Sequence, residues 1–202
     1  MRASTRRELV PGPVGRIECA IDVPDKPQGL ALIAHPHPLY GGTLDNKVVQ
    51  TLARVFVDLG YAAVRPNFRG VGATEGVHDE GRGEVEDMAA VLAWAQAEFG
   101  AAPPVLAGFS FGSSVQTHLA QRVAPERMLL VGVAVKRFDA RPVPASTLVI
   151  HGENDETVPL ADVLDWARPQ ELPVVVVPGA DHFFHQKLNV LRSIVQSNWR
   201  GR

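Results

Sequence analysis

The chain has 202 residues, 46% of them hydrophobic and 21% charged, and its 20 Lys and Arg against 22 Asp and Glu leave a net charge of −2. That length predicts one domain spanning 1–202 with a core that needs no disulfide or metal, and the charge balance lacks the basic face that nucleic acid or an acidic membrane would require. The one cysteine, Cys19, excludes an intrachain disulfide and a multi-cysteine zinc site.

Met1 to Glu8 carries positive charge but no apolar run follows it, unlike a secretory leader. No stretch reaches the 18 or more apolar residues of a spanning helix, so a cytoplasmic location is expected. Glu8 to Val10 and Arg16 to Ile21 flank the turn-rich Val10-Pro-Gly-Pro-Val-Gly15 and predict an antiparallel hairpin, with Cys19 as an inert core thiol.

From Leu30 onward, short apolar runs alternate with segments of helical period, the pattern of βα units around a parallel sheet. The strand runs are Leu30 to Ala34, Tyr61 to Val64, Val105 to Phe109, Met128 to Val135, Leu148 to Ile150 and Val174 to Val177. Val48, Leu52, Val55, Phe56 and Leu59 mark the first helix, with Asp45 or Asn46 as N-cap and Gly60 as its stop. Val85, Met88, Ala89, Leu92 and Phe99 mark a second, and Ser113 to Arg122, Leu160 to Ala167 and Lys187 to Trp199 complete the set.

Gly108-Phe-Ser110-Phe-Gly112 falls between a strand and a helix. A serine there turns the chain sharply, requires small residues two positions away on each side, and leaves the N–H of Phe111 at a helix N-terminus to bind an oxyanion. Serine is a weak nucleophile at neutral pH and needs a base oriented by an acid, in the chain order Ser, Asp, His. Asp155 follows Leu148 to Ile150 and His182 follows Val174 to Val177, in that order. Asp139 and His185 are the alternative acid and base. Ser113 and Ser114 read as helix-capping hydroxyls, and Glu153 and Glu156 as solvent-facing.

The loop His35-Pro-His-Pro-Leu-Tyr-Gly-Gly42 is placed to give the second oxyanion N–H. Pro36 and Pro38 have none, leaving His37, Leu39 or Tyr40, with Leu39 favoured. His37 and Tyr40 are the candidate substrate contacts. A metal reading of the histidine pair lacks a nearby carboxylate, so the imidazoles are expected to bond loop backbone. Asn67-Phe-Arg-Gly-Val-Gly-Ala-Thr-Glu-Gly76 lacks the spacing of a phosphate cradle, and Arg69 reads as a tie between loops.

With these residues in hand the chain resembles the α/β-hydrolase superfamily, most closely its small bacterial serine hydrolases related to dienelactone hydrolases. The resemblance rests on the His35 to Gly42 loop with Asp45-Asn46-Lys47, Asn67-Phe-Arg-Gly70, Gly108 to Gly112, His151-Gly-Glu-Asn-Asp155 and Asp181-His-Phe-Phe184. It implies a three-layer α/β/α sandwich with a mostly parallel sheet, and Ser110 as nucleophile, Asp155 as acid and His182 as base. Dienelactone hydrolases carry a cysteine nucleophile, so serine points to esters. No cofactor is implied, and the expected partner is a small ester, with a thioesterase, amidase, acyltransferase or non-catalytic module as alternatives.

Lids in this superfamily are usually inserted between the strands Met128 to Val135 and Leu148 to Ile150. Only Lys136 to Thr147 lies there, and Pro142 and Pro144 oppose a helix. The expectation is a lidless enzyme that prefers short, water-soluble esters.

Overall fold

In the computed structural model, which describes residues 5–199, strands β1 (Arg6–Pro11) and β2 (Arg16–Asp22) form the expected antiparallel hairpin, with Leu9 opposite Glu18. Residues 1–4, part of the segment read above as unlike a secretory leader, and 200–202 lie outside the described residues. Cys19 on β2 is buried, and burial pushes its thiol up to about 12, which removes the reactive thiolate.

The remaining strands are β3 (Gly29–Ala34), β4 (Tyr61–Pro66), β5 (Val105–Phe109), β6 (Arg127–Val131), β7 (Leu148–Gly152) and β8 (Val174–Val177). They make an eight-stranded sheet in the order β1-β2-β4-β3-β5-β6-β7-β8, antiparallel at β1, β2 and β4 and parallel from β4 onward. The chain builds outward from β3 to β4, then crosses back to add β5 on the other side. That reversal opens a crevice beyond the carboxyl ends of β3 and β5, where loops diverge and ligands bind in such sheets.

Helices α1 (Lys47–Asp58) and α5 (Leu188–Trp199) cover one face; α2 (Arg82–Phe99), α3 (Phe111–Leu119) and α4 (Leu160–Ala167) cover the other. The two faces are legible in the strands. On β3, Leu30, Leu32 and Ala34 join the α2 and α3 side while Ala31 and Ile33 join the α1 and α5 side, as the two-residue period of a strand buried on both faces requires. Each fully buried Leu or Ile contributes about 1.5–3 kcal/mol, so these central strands anchor the fold.

Asn46, not Asp45, caps α1: its Oδ1 accepts from Val48 N–H at 2.9 Å, while Asp45 pairs with Arg7. Strand β6 ends at Val131 rather than running to Val135. Gly132 takes a left-handed φ of 53° and turns the chain out of the sheet, and Val133, Ala134 and Val135 remain apolar because they are buried as a loop over the crevice. Between Gly132 and Thr147 the chain forms no helix or strand. No helix among the described residues is long and apolar enough to cross a membrane.

Candidate active site

The turn from β5 into α3 holds Ser110 at φ 55° and ψ −120°, a conformation that costs a non-glycine residue about 1–3 kcal/mol. Close packing fixes both flanking residues. A Cβ on Gly108 would lie 2.6 Å from the backbone of Gly112, and one on Gly112 would overlap the carbonyls of Ala34 and His35 at the end of β3. Helix α3 begins at Phe111, so the N–H of Phe111 has no intrahelical acceptor. Ser113 and Ser114 therefore sit inside the first turn instead of capping it. Their hydroxyls donate to Val131 O at 3.1 Å and Ala134 O at 2.9 Å, tying α3 to the end of β6 and to the loop that follows it.

The loops after β7 and β8 converge on this turn. Asp155 Oδ1 accepts the N–H groups of Thr157 at 2.9 Å and Val158 at 2.8 Å. Its Oδ2 accepts from His182 Nδ1 at 2.6 Å, and His182 Nε2 stands 3.0 Å from Ser110 Oγ. With Nδ1 donating to a carboxylate, Nε2 carries the lone pair and is placed to accept a hydrogen bond from the Ser110 hydroxyl. All three side chains are buried. The rivals stand elsewhere: Asp139 is exposed and pairs with Arg141 at 3.1 Å, and the exposed His185 pairs with Asp181 at 2.6 Å. Glu153 and Glu156 are exposed.

The loop after β3 folds as a 3₁₀ turn over Pro38–Tyr40. His35 is fully buried; its Nδ1–H donates to Pro36 O at 2.6 Å and its Nε2 accepts from Phe68 N–H at 2.9 Å. Both ring nitrogens are thus committed to loop backbone, and burial pushes this imidazole down to about 4. His37 Nδ1 accepts the N–H of Leu39 at 3.2 Å, and the N–H of Tyr40 donates to His37 O at 3.2 Å. The favoured oxyanion donor, Leu39, is therefore already engaged by its own loop. The tight turn causes this, because it folds the Leu39 amide back onto the preceding imidazole. Among the described residues nothing accepts the N–H of His37.

His37 and Tyr40 do line the cavity that opens over Ser110, with Ala134, Val135, Phe138 and Val158. Its volume is about 140 Å³. Burial and the neighbouring His78 and Arg137 push the His37 ring below its ordinary value. A larger space of about 750 Å³ shares Lys136, Arg137 and Phe138 with this cavity and includes none of Ser110, Asp155 and His182.

Sequence reasoning missed Arg137, whose Nη2 donates to Tyr40 Oη at 2.8 Å, and missed Ala134 and Val135 as cavity wall. Gly132, a breaker inside an apolar run, was the available signal. Arg69 ties its loop to α2 through a bidentate contact with Asp87, at 2.7 Å on each side. Among the described residues no group of three His, Cys, Asp or Glu side chains is placed to hold a metal.

Comparison with known proteins agrees with this architecture. The family model of the X-Pro dipeptidyl-peptidase (S15 family) matches residues 15–136. The uncharacterized protein RP471 of Rickettsia prowazekii (strain Madrid E) is 34% identical over 93% of this chain and 89% of its own. The structure of XC6422 from Xanthomonas campestris, described as a serine hydrolase without lid, superposes with a TM-score of 0.91 at 36% identity, covering 99% of this chain and 95% of that one. A serine hydrolase homologue from Coxiella burnetii superposes at 0.88 with 39% identity, covering 96% of each chain. The chain belongs to the α/β-hydrolase superfamily, in the S15 family of X-Pro dipeptidyl-peptidases, and is a hydrolase built, like XC6422, without a lid.

Proposed function

We propose that the protein is a serine esterase that cleaves small, short-acyl esters through an acyl-enzyme intermediate. The observation that carries the reading is the unbroken chain from Asp155 Oδ2 to His182 Nδ1 at 2.6 Å and from His182 Nε2 to Ser110 Oγ at 3.0 Å. Ser110 Oγ attacks the ester carbonyl as its proton passes to His182 Nε2, and Asp155 stabilises the imidazolium. The oxyanion is held by the N–H of Phe111 and by the N–H of His37, which replaces Leu39 as the second donor. Each such donor is worth about 10²–10³ in kcat. The protonated His182 then gives its proton to the leaving alkoxide. A water molecule, deprotonated by His182, releases the acyl group and restores Ser110.

The cavity of about 140 Å³ over Ser110 favours a short acyl group; drug-sized ligands occupy roughly 300–1,000 Å³. The family name supports a second reading, removal of dipeptides from a peptide N-terminus. Such a substrate carries an ammonium that calls for an anion near the nucleophile. The carboxylate lining this cavity, Asp162, is already bound to Lys136 at 2.6 Å, which favours the ester.

The test is labelling of the purified protein with a fluorophosphonate, with and without Ser110→Ala. Labelling of the wild type alone is expected; a silent wild type or a labelled alanine variant overturns the assignment. A panel of p-nitrophenyl esters of rising chain length, run beside X-Pro dipeptide p-nitroanilides, then separates the two readings. Faster turnover of short-chain esters than of either long-chain esters or anilides is the expected result.

A further inference from the structure

One residue before the end of strand β7 stands His151, a second imidazole against the same acid and one that the acyl-transfer reading leaves without a task. His151 is fully buried. Its Nε2–H donates to Val158 O at 2.9 Å, and the same nitrogen stands 3.5 Å from Asp155 Oδ2, the oxygen that receives His182 Nδ1. Val158 also donates its N–H to Asp155 Oδ1 at 2.8 Å. Asp155, Val158 and His151 thus close a ring of contacts around the carboxylate. The other ring nitrogen, Nδ1, is buried with no partner among the described residues. A residue selected for packing alone has no reason to leave a polar atom stranded in the interior.

We infer that His151 is a positioning residue for the hydrolytic site: it pins the Asp155 loop through Val158 and shares Asp155 Oδ2 with His182, so that the carboxylate orients the base without holding its proton too tightly. The inference rests on the proposed roles of Ser110, His182 and Asp155.

Burial pushes the His151 imidazole below its ordinary value, so at neutral pH it presents an N–H dipole to Oδ2 and not a full cation that would oppose formation of the His182 imidazolium. The titratable groups that face it are Asp155, from its own loop, and His182, from the loop after β8. Glu153 and Glu156 are exposed, and its sheet neighbours, Val176 on β8 and the Val131 end of β6, bring no charge. The loop after β8 is docked on the same strand end. Asn154 N–H donates to Ala180 O at 2.9 Å, and a Cβ on Gly152 would lie 2.5 Å from that carbonyl oxygen. The end of β7 therefore sets the acid and the base relative to each other.

The test measures kcat and KM for p-nitrophenyl acetate against pH, with thermal midpoints, for wild type, His151→Leu, His151→Gln and His151→Asn. Leucine fills the space without a donor, so kcat should fall about 10- to 100-fold, the scale of a small misplacement, with KM within about twofold because the substrate is untouched. The pH midpoint should rise by roughly half a unit or more, because Asp155 then holds the His182 proton more tightly. Glutamine, whose amide reaches the place of Nε2, should recover most of the rate and the wild-type midpoint; asparagine, which reaches only the place of Nδ1, should not. Loss of the donor to Val158 O should lower the thermal midpoint of the leucine and asparagine variants by a few degrees at most, so that the fall in kcat is read on folded protein.

Wild-type rate and midpoint in the leucine variant, or an equal loss in the glutamine and asparagine variants, would overturn the inference. If the leucine variant does not fold, the contrast of glutamine with asparagine decides in the same way. A wild type that resists the fluorophosphonate instead removes the underlying reading, so the two failures are distinguishable.

Discussion

The ring of His182 lies directly against the backbone of Gly132, so closely that a Cβ at Gly132 would meet Cε1 at 3.3 Å and Nδ1 at 3.4 Å. The glycine does two things at once. Its φ of 53° turns the chain out of β6, and its missing side chain gives the imidazole room to reach both Asp155 and Ser110.

Gly132→Ala should therefore damage activity more than stability. A left-handed alanine costs about 1–2 kcal/mol, or a fall of a few degrees in Tm for a chain of this size. Displacement of the His182 ring should lower kcat by about 10- to 100-fold. Calorimetry and steady-state kinetics on the same preparation check it, and a variant with full activity would mean the ring tolerates the contact.

Asp155→Asn should leave the loop folded and remove the charge opposite the imidazolium. A loss in kcat on the order of 10⁴ is expected from the equivalent change in triad enzymes. Asp139→Asn, at the exposed rival position, should leave turnover within about twofold, since among the described residues that side chain reaches only Arg141. The prediction fails if the two variants behave alike.

The buried pair of Arg69 and Asp87 holds the loop after β4 onto α2, and Gly83 provides the space that the guanidinium fills. Asp87→Ala strands a buried cation and should cost about 3–5 kcal/mol. The double change Arg69→Met with Asp87→Leu removes both charges and should recover a large part of that loss. Urea unfolding of the three proteins gives the comparison directly.

His35 makes folding stability depend on pH. Its Nε2 accepts the N–H of Phe68, so protonation breaks that bond, and burial holds the folded group down to about 4 against about 6.5 for a free histidine. Between those values the unfolded chain binds a proton that the folded chain refuses. Stability contributed by neutral His35 is fully present above pH 6.5 and is lost as the pH falls toward 4, by about 1.4 kcal/mol per pH unit. His151 and His37, also pushed down by burial, steepen the same slope. His35→Gln should flatten it, as denaturant midpoints at several pH values between 4.5 and 7.5 can establish; an unchanged slope would exclude His35 as a source.

Much of the fold was legible because the sheet is buried on both faces. Strands such as Val105–Phe109 must then be apolar throughout, and the helices between them must show one apolar stripe, so periodicity alone separates the two. The candidate nucleophile was legible for a related reason. A serine in so sharp a turn leaves no space for Cβ atoms two residues away, and Gly108 and Gly112 record that constraint locally. The end of β6 was misjudged because an apolar run does not distinguish a buried strand from a buried loop. Val133 to Val135 are the second, and only the left-handed Gly132 separates them from the first.

The sequence by itself determined the layer architecture, the order of the chemical groups and the glycine pair around Ser110, since these follow from local sterics and from burial pattern. Tertiary structure decided the rest: the 2.6 Å contact of Asp155 with His182, the engagement of the Leu39 amide by His37, the place of Arg137 over Tyr40, and the closure of His151 onto the acid loop. Each joins residues from different loops or turns on loop geometry that no side-chain pattern encodes. Their positions are set by how separate strands end at one edge of the sheet, and that relation exists only once the sheet has formed.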